Sequence, residues 1–497
     1  MDTFHLLLNG FSAALSLQNL LYAFIGCILG TVVGILPGLG PVSATAMLIP
    51  LTFHLSKDGA IIMLAAIYYG AMYGGTITSV LINVPGETAS VITCIDGYQM
   101  ARQGRAGAAL SIAAIGSFIG GTFAMVGLVV AAPPLARKAL EFGPPEIFGM
   151  MVFGLSLIMG LAGKSLVKGL MMGLLGLFLS LIGMEVGEGI PRFTFDSIQL
   201  MRGVDFIAIL IGLFGVSEIL INAENPETNI LKAKMSSLVP TSQDLKDCAG
   251  PIARGTVVGF FLGLIPGLGA AIPTILSYVT EKKLSRHPEK FGRGAIEGVA
   301  GPETSNNSYA NAAFIPLLSL GIPSAPTIAV LMGAFMMNGV TPGPLLFRDH
   351  AALVWTVIAS MYIGNVILLI LNLPLIPIWV SILRIPYSIL FALILLFTVV
   401  GAYSLNNQIF DVGVMIFFGA AGYVLRKLDF PLAPIALTLI LGPIMENALR
   451  QSMEMSQGSF SIFWERPFSL VFLFLAVVVL ITSGLGLARS ARKDAEA

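Results

Sequence analysis

The sequence predicts an all-α polytopic membrane protein of about 11–13 spans, built as two inverted repeats with broken helices. Three observations predict it. Of the 497 residues, 56% are hydrophobic and only 11% charged, and the mean hydropathy is +0.89, whereas soluble domains carry about 25% charged residues. Apolar runs of roughly 20 residues, enough to cross a bilayer as a helix, recur along the chain. Finally, Gly26, Gly30, Gly34 and Pro37-Gly38-Leu39-Gly40 return 229 residues later as Gly255, Gly259, Gly263 and Pro266-Gly267-Leu268-Gly269.

The apolar segments of the first repeat, residues 1–222, fall near 11–35, 38–55, 60–83, 106–132, 146–162, 165–185 and 203–222. A polar connecting loop over 223–250 follows, with Glu224, Glu227, Lys232, Lys234, Asp244, Lys246 and Asp247. The second repeat, 251–450, has segments near 253–279, 307–322, 324–340, 352–382, 387–402, 409–425 and 431–449. Residues 451–497 hold a final span near 468–488 and a tail whose Arg489, Arg492 and Lys493 read as cytoplasmic. No Lys or Arg precedes Lys57, so a cleaved leader with a basic start is not expected.

A second correspondence follows the first. Asn83-Val84-Pro85-Gly86-Glu87-Thr88-Ala89-Ser90 lies 48 residues beyond the first break (Pro37 to Pro85), and Gly321-Ile322-Pro323-Ser324-Ala325-Pro326-Thr327 lies 57 beyond the second (Pro266 to Pro323). Charge placement sets the relative orientation. The loop Glu281–Arg293 carries Lys282, Lys283, Arg286, Lys290 and Arg293, while its counterpart His54–Gly59 has only Lys57 beside Asp58. After the second motif the bias reverses, with Arg102 and Arg105 against Arg348 and Asp349. Basic loops collect on the cytoplasmic side, so equivalent loops are expected on opposite faces.

Net charge is zero, which gives no support to a nucleic-acid partner. Cys27, Cys94 and Cys248 are far apart and have no metal-ligand spacing. His5, His54, His287 and His350 form no H-E-x-x-H pair, and Gly163-Lys164-Ser165 lacks the glycine a phosphate-binding loop needs five positions before it, where Ile158 stands. An enzyme is not expected, nor a cofactor.

The chemistry is expected where helices break. Pro and Gly remove a donor and free the backbone, and such backbone is tolerated at membrane depth only against protein or a watery cavity. Gly38, Gly40, Ser43 and Thr45 in one half, and Gly267, Gly269 and Thr274 in the other, are candidates for cation binding or for the break itself. Candidate substrate groups are Asn83, Pro85, Gly86, Thr88 and Ser90, with Pro323, Ser324 and Thr327, because restarted helices present amides to carboxylates. The polar run Gly301–Asn311 reads as a hydrated site and adds Asn306 and Asn307. Its counterpart Tyr68–Gly75 is aromatic and small. Acidic residues near spans are Glu87, Asp96, Asp205, Glu218, Glu303, Asp411 and Glu446. Only Glu87 and Glu303 also lie on a break motif, and at most one is expected to carry a proton or balance a cation.

The motifs Gly34–Pro41, Tyr69–Gly75, Asn83–Glu87 and Gly301–Asn307 resemble those of TctA, the large membrane subunit of the bacterial tripartite tricarboxylate transporters, in order and over essentially the whole chain. The resemblance implies a secondary carrier in the bacterial inner membrane, coupled to Na⁺ or H⁺. It also implies a small membrane subunit like TctB, a periplasmic binding protein like TctC, and citrate or related di- and tricarboxylates as substrates. A channel or other permease for small anions is the alternative reading.

Overall fold

The computed structural model describes residues 3–36, 40–161, 165–185, 189–224, 240–382 and 387–496. Pro37, Gly38, Lys164 and most of the polar stretch, including Lys232 and Lys234, lie outside the described residues. The first half runs α1 (Thr3–Ala14), α2 (Leu17–Ile35), α3 (Gly40–Leu48), α4 (Lys57–Ile82), α5 (Val91–Arg102), α6 (Ala106–Ala139), α7 (Pro144–Leu161) and α8 (Leu166–Ser180). The short hairpin β1 (Gly183–Met184) and β2 (Pro191–Arg192) follows, then α9 (Ile198–Met201), α10 (Phe206–Leu210) and α11 (Ser217–Glu224). The second half runs α12 (Ser242–Gly263), α13 (Ala271–Leu284), α14 (Glu297–Ala312), α15 (Phe314–Leu320), α16 (Pro326–Met337), α17 (Leu346–Asp349) and α18 (Ala351–Asn372). It ends with α19 (Ile376–Ile382), α20 (Tyr387–Asn406), α21 (Ile409–Lys427), α22 (Ala433–Met455), α23 (Ile462–Glu465) and α24 (Pro467–Glu496).

The chain is an all-α polytopic membrane protein. Among the described residues, α2, α4, α6, α18, α21 and residues 467–485 of α24 are long and apolar enough to cross a bilayer. Shorter apolar helices, such as Gly40–Thr52 and Pro326–Met337, fall below that length. The expected span 253–279 is two helices, α12 and α13, parted at the Pro-Gly-Leu-Gly motif. The expected loop over 223–250 is cut short at its far end, because helix α12 already begins at Ser242. A reciprocal cap starts it: Asp244 N–H donates to Thr241 Oγ1 (3.1 Å) and Thr241 N–H to Asp244 Oδ2 (3.0 Å).

The repeated glycines are helix-packing positions. A Cβ on Gly26, Gly30 or Gly34 would fall within 3.0 Å of Met63, Ile67 or Ala71 backbone, so α2 lies tight along α4 and parallel to it. Gly255, Gly259 and Gly263 meet Gly301, Ser305 and Tyr309 in the same way, laying α12 parallel to α14. Each α4 residue thus has its counterpart 238 positions on. The same shift relates the left-handed C-caps Asn83 (φ 59°) and Gly321 (φ 70°), and the extended N-caps Glu87 (φ −149°) and Ala325 (φ −148°).

The equivalent helices α4 and α14 run antiparallel. Tyr68 meets Phe314 (ring centroids 6.1 Å apart), Thr76 meets Glu303, and Val80 and Val299 converge on Gly97. Equivalent loops accordingly lie at opposite ends. Gln103 Nε2 donates to Arg293 O (2.7 Å) and Arg105 pairs with Asp244 (2.5 Å), gathering the basic loops on one face. Lys57 lies beside Gly339 at the other end of α4.

Candidate functional site

The second-half break closes on its own second motif. Gly267 N–H donates to Ser324 O (3.0 Å), and Tyr309 O–H donates to the same carbonyl (3.1 Å). Gly267 sits at φ +82°, and a Cβ there would strike Ile158 at 2.7–2.9 Å. In the first half, a Cβ on Gly86 would lie 2.5 Å from Gly75 Cα and would collide with Gly34 O, so this segment folds back onto α2 and α4. Described residues of all four motifs meet in the interior.

Where they meet there is a cavity of about 500 Å³, within the usual range for small-molecule sites. Gly40, Pro41 and Ser43 line it from one break, and Gly269 and Ala270 from the other. Pro85, Gly86, Glu87 and Thr88 line it from one second motif, with Ala325, Pro326 and Thr327 from the other. Tyr68, Met72, Tyr309, Phe214 and Leu432 supply apolar wall. The restarted helices α5 and α16 leave this point toward opposite faces. α5 ends at Arg102 near the basic loops, and α16 ends at Met337 near Lys57.

Two buried acids stand behind the wall. Glu87 accepts from Asn306 Nδ2 (2.6 Å) and itself lines the cavity. Glu303, 1% exposed, accepts from Thr76 Oγ1 (2.6 Å) and from Thr93 Oγ1. Neither forms an ion pair among the described residues. The hydroxyls come from α4 and α5 and the carboxylate from α14, so this cluster joins the two halves. The other acids have local duties. Asp96 accepts from the N–H groups of Gly292, Gly294 and Ala295 (2.7–2.9 Å) and from Tyr278 O–H (2.8 Å), tying down the basic loop. Asp205 caps α10, Asp411 accepts from Asn406 (2.9 Å), and Glu446 pairs with Arg192 (2.6 Å).

Gly301–Asn311, expected to be a hydrated site, lies inside a helix. Residues 298–312 are buried throughout within α14, because small side chains let α12 and α6 pack against it. Asn307 donates to Ser117 Oγ (2.7 Å) on α6, away from the cavity, while Asn306 reaches it only through Glu87. Ser43 lines the cavity but donates to Phe214 O (2.8 Å), a carbonyl in the π-helical turn Ile211–Val216 between α10 and α11. Thr45 and Thr274 donate back to Pro41 O and Ala271 O (2.8 Å each). Ser90 bonds Glu87 backbone, and exposed Asn83 is a helix cap. Ser324 and Pro323 are buried and do not line the cavity. The restarted helix begins at Pro326, two residues beyond the expected start, because proline fixes the first helical position.

One pair escaped the sequence reading. Arg426, in the last turn of α21, and Glu218 on α11 form an ion pair, and both line the cavity. Their depth follows from their helices. Asn406 bonds Asp205 (3.3 Å) and Asp411 (2.9 Å) at the starts of α10 and α21, and Gly401 lies against Pro50 in the turn leading to Lys57. Running side by side from that face, α10–α11 and α21 carry Glu218 and Arg426 toward the basic face. An arginine at a helix end leaves no period in hydropathy, so its sequence position carried no signal.

Residues 20–437 match the model of the tripartite tricarboxylate transporter TctA family. The chain belongs to the TctA family. A protein of Agrobacterium vitis, described as an uncharacterised 52.8 kDa protein in the TAR-I ttuC' 3' region, is 46% identical over 99% of this chain and 98% of its own length. A second from the same organism, described as an uncharacterised protein in the TAR-II ttuC' 3' region, is 47% identical over 47% of this chain and 97% of its own length. No solved structure matches. TctA proteins are transporter subunits, and the antiparallel broken-helix units described above are the architecture expected of a secondary carrier.

Proposed function

We propose that this chain is the membrane subunit of a binding-protein-dependent secondary transporter that imports di- or tricarboxylates such as citrate across the bacterial inner membrane. A TctB-like membrane subunit and a TctC-like periplasmic protein are its proposed partners. Residues 1–222 and 251–450 are the proposed repeats, joined by the polar stretch. The observation that carries the reading is the cavity lined from both breaks, with Thr88 and Thr327 at the two restarted helices and Arg426 at its border. Backbone amides at helix starts favour carboxylates. Outside the cavity lining, Glu303 with Thr76 and Thr93 offers oxygen ligands to Na⁺ or a base to H⁺.

The test is counterflow. Proteoliposomes holding the membrane subunits are loaded with unlabelled carboxylate and given labelled carboxylate with the binding protein, with Na⁺ and H⁺ gradients imposed separately. A carrier gives a transient overshoot of label inside and gradient-driven uptake with one cation. A channel equilibrates label without overshoot, and that result overturns the reading.

A further inference from the structure

We propose that Arg426 receives a carboxylate of the transported substrate, and that Glu218 holds its guanidinium while the site is empty, so that substrate and Glu218 exchange on one arginine. This rests on the carboxylate reading above and names the residue that would discriminate substrates by charge. Among the described residues lining the cavity, Arg426 is the one cation. Its side chain is 26% exposed and that of Glu218 is 18% exposed, so the pair is half-desolvated yet reachable from the cavity. Arg426 lies at the C-terminal end of α21, where the helix dipole favours a cation without help from an acid.

The contact with Glu218 runs through one guanidinium nitrogen, Nη1, to one carboxylate oxygen. A planar fork with five donors can take a carboxylate on two parallel bonds, so a substrate carboxylate can outcompete a single-nitrogen partner. Thr88 and Thr327 line other parts of the same cavity, and a di- or tricarboxylate has further carboxylates to offer them. The exchange also explains why an acid faces a cavity meant for anions. An unpaired arginine there would trap its ligand, whereas Glu218 competes for the guanidinium and promotes release on the basic face.

The test uses the full chain in inside-out vesicles carrying Val91→Cys, since Val91 lines the cavity and is 48% exposed. Of the native cysteines, Cys27 and Cys248 are buried and Cys94 is half-buried, so background labelling is low. Maleimide labelling is timed with and without citrate and a panel of di- and tricarboxylates. In R426Q the half-protecting concentration is expected to rise about 10-fold or more, as for loss of a charge-assisted pair. In E218Q it is expected to fall by about 3-fold, because the competitor is gone. R426K, which keeps the charge without the fork, is expected between parent and R426Q, and it carries the test where R426Q does not insert. Equal weakening in R426Q and E218Q marks the pair as a strut between α11 and α21 and overturns the proposal, as does unchanged protection in R426Q. Absence of protection by every carboxylate in the Val91→Cys parent overturns the carboxylate reading itself, and this inference with it.

Discussion

The two break units share a backbone and differ in their chemistry. In both, three glycines spaced four apart lay one helix along its neighbour, and the same capping angles recur 238 positions apart. Yet α4 brings Ala65, Tyr68, Tyr69 and Tyr73 where α14 brings Glu303, Asn306, Asn307 and Asn311. The duplicated glycines hold the geometry, while α14 supplies Glu303 and the amide donors and the first copy adds Glu87. Inversion then matters for function, because it sets Glu303 of α14 against hydroxyls of α4 and α5 rather than against lipid.

The largest expected effect breaks the shared backbone. Gly267→Val adds a β-branched side chain at positive φ against Ile158, and we expect strain above about 3 kcal/mol, with transport lost. Gly269→Ala and Gly40→Ala also stand at positive φ, but among the described residues nothing lies within 4 Å of either Cβ. They should cost only about 1–2 kcal/mol and keep most of the flux. Thermal stability of the purified protein beside proteoliposome uptake separates the two classes, and equal losses at all three sites would remove the distinction between crowded and open breaks.

A second pair of variants sharpens the chemical asymmetry. Asn306→Ala strips Glu87 of its amide donor, and uptake should fall roughly 10-fold or more, the scale of a buried charge-assisted bond. Tyr68→Phe at the equivalent position removes a buried hydroxyl that has no hydrogen-bond partner among the described residues, and flux should change by no more than about 2-fold. Comparable losses would show that the aromatic half contributes chemistry as well as packing.

A smaller effect is expected where the cavity meets a restarted helix. Thr88→Ala should raise the half-saturating carboxylate concentration only about 2- to 5-fold, because backbone amides remain. Thr88→Leu, which blocks approach to them, should abolish saturable uptake. If Thr88→Leu keeps its affinity, carboxylates do not approach that helix start.

Much of this was legible in the sequence because it is written in residues with few uses. Repeated Pro-Gly in apolar surroundings has little purpose other than a break, and glycines four apart mark a close helix face. Gly40, Glu87, Thr88, Gly269 and Thr327, separate candidates in the sequence, line one cavity. The helical burial of the polar run was not legible because hydropathy cannot tell a loop from a buried helix whose amides bond Glu87, Ser117 and the helix backbone. Asp96 stood in the sequence only as an acid near a span, and its three backbone donors, which mark it as an anchor of the basic loop, come from residues about 200 positions away. Arg426 and Glu218 were hidden because their meeting spans 208 residues, and the π-helical turn preceding Glu218 leaves no mark in the pattern.

Antiparallel break units are the central claim, and sidedness tests it most directly. Arg286→Cys and Lys57→Cys are both exposed positions in loops that the repeat equates. In sealed vesicles of each orientation, a membrane-impermeant maleimide should label Arg286→Cys from the cytoplasmic side alone and Lys57→Cys from the opposite side alone. Labelling of both from the same side would contradict the inverted arrangement and, with it, the placement of the cavity between opposed helix starts.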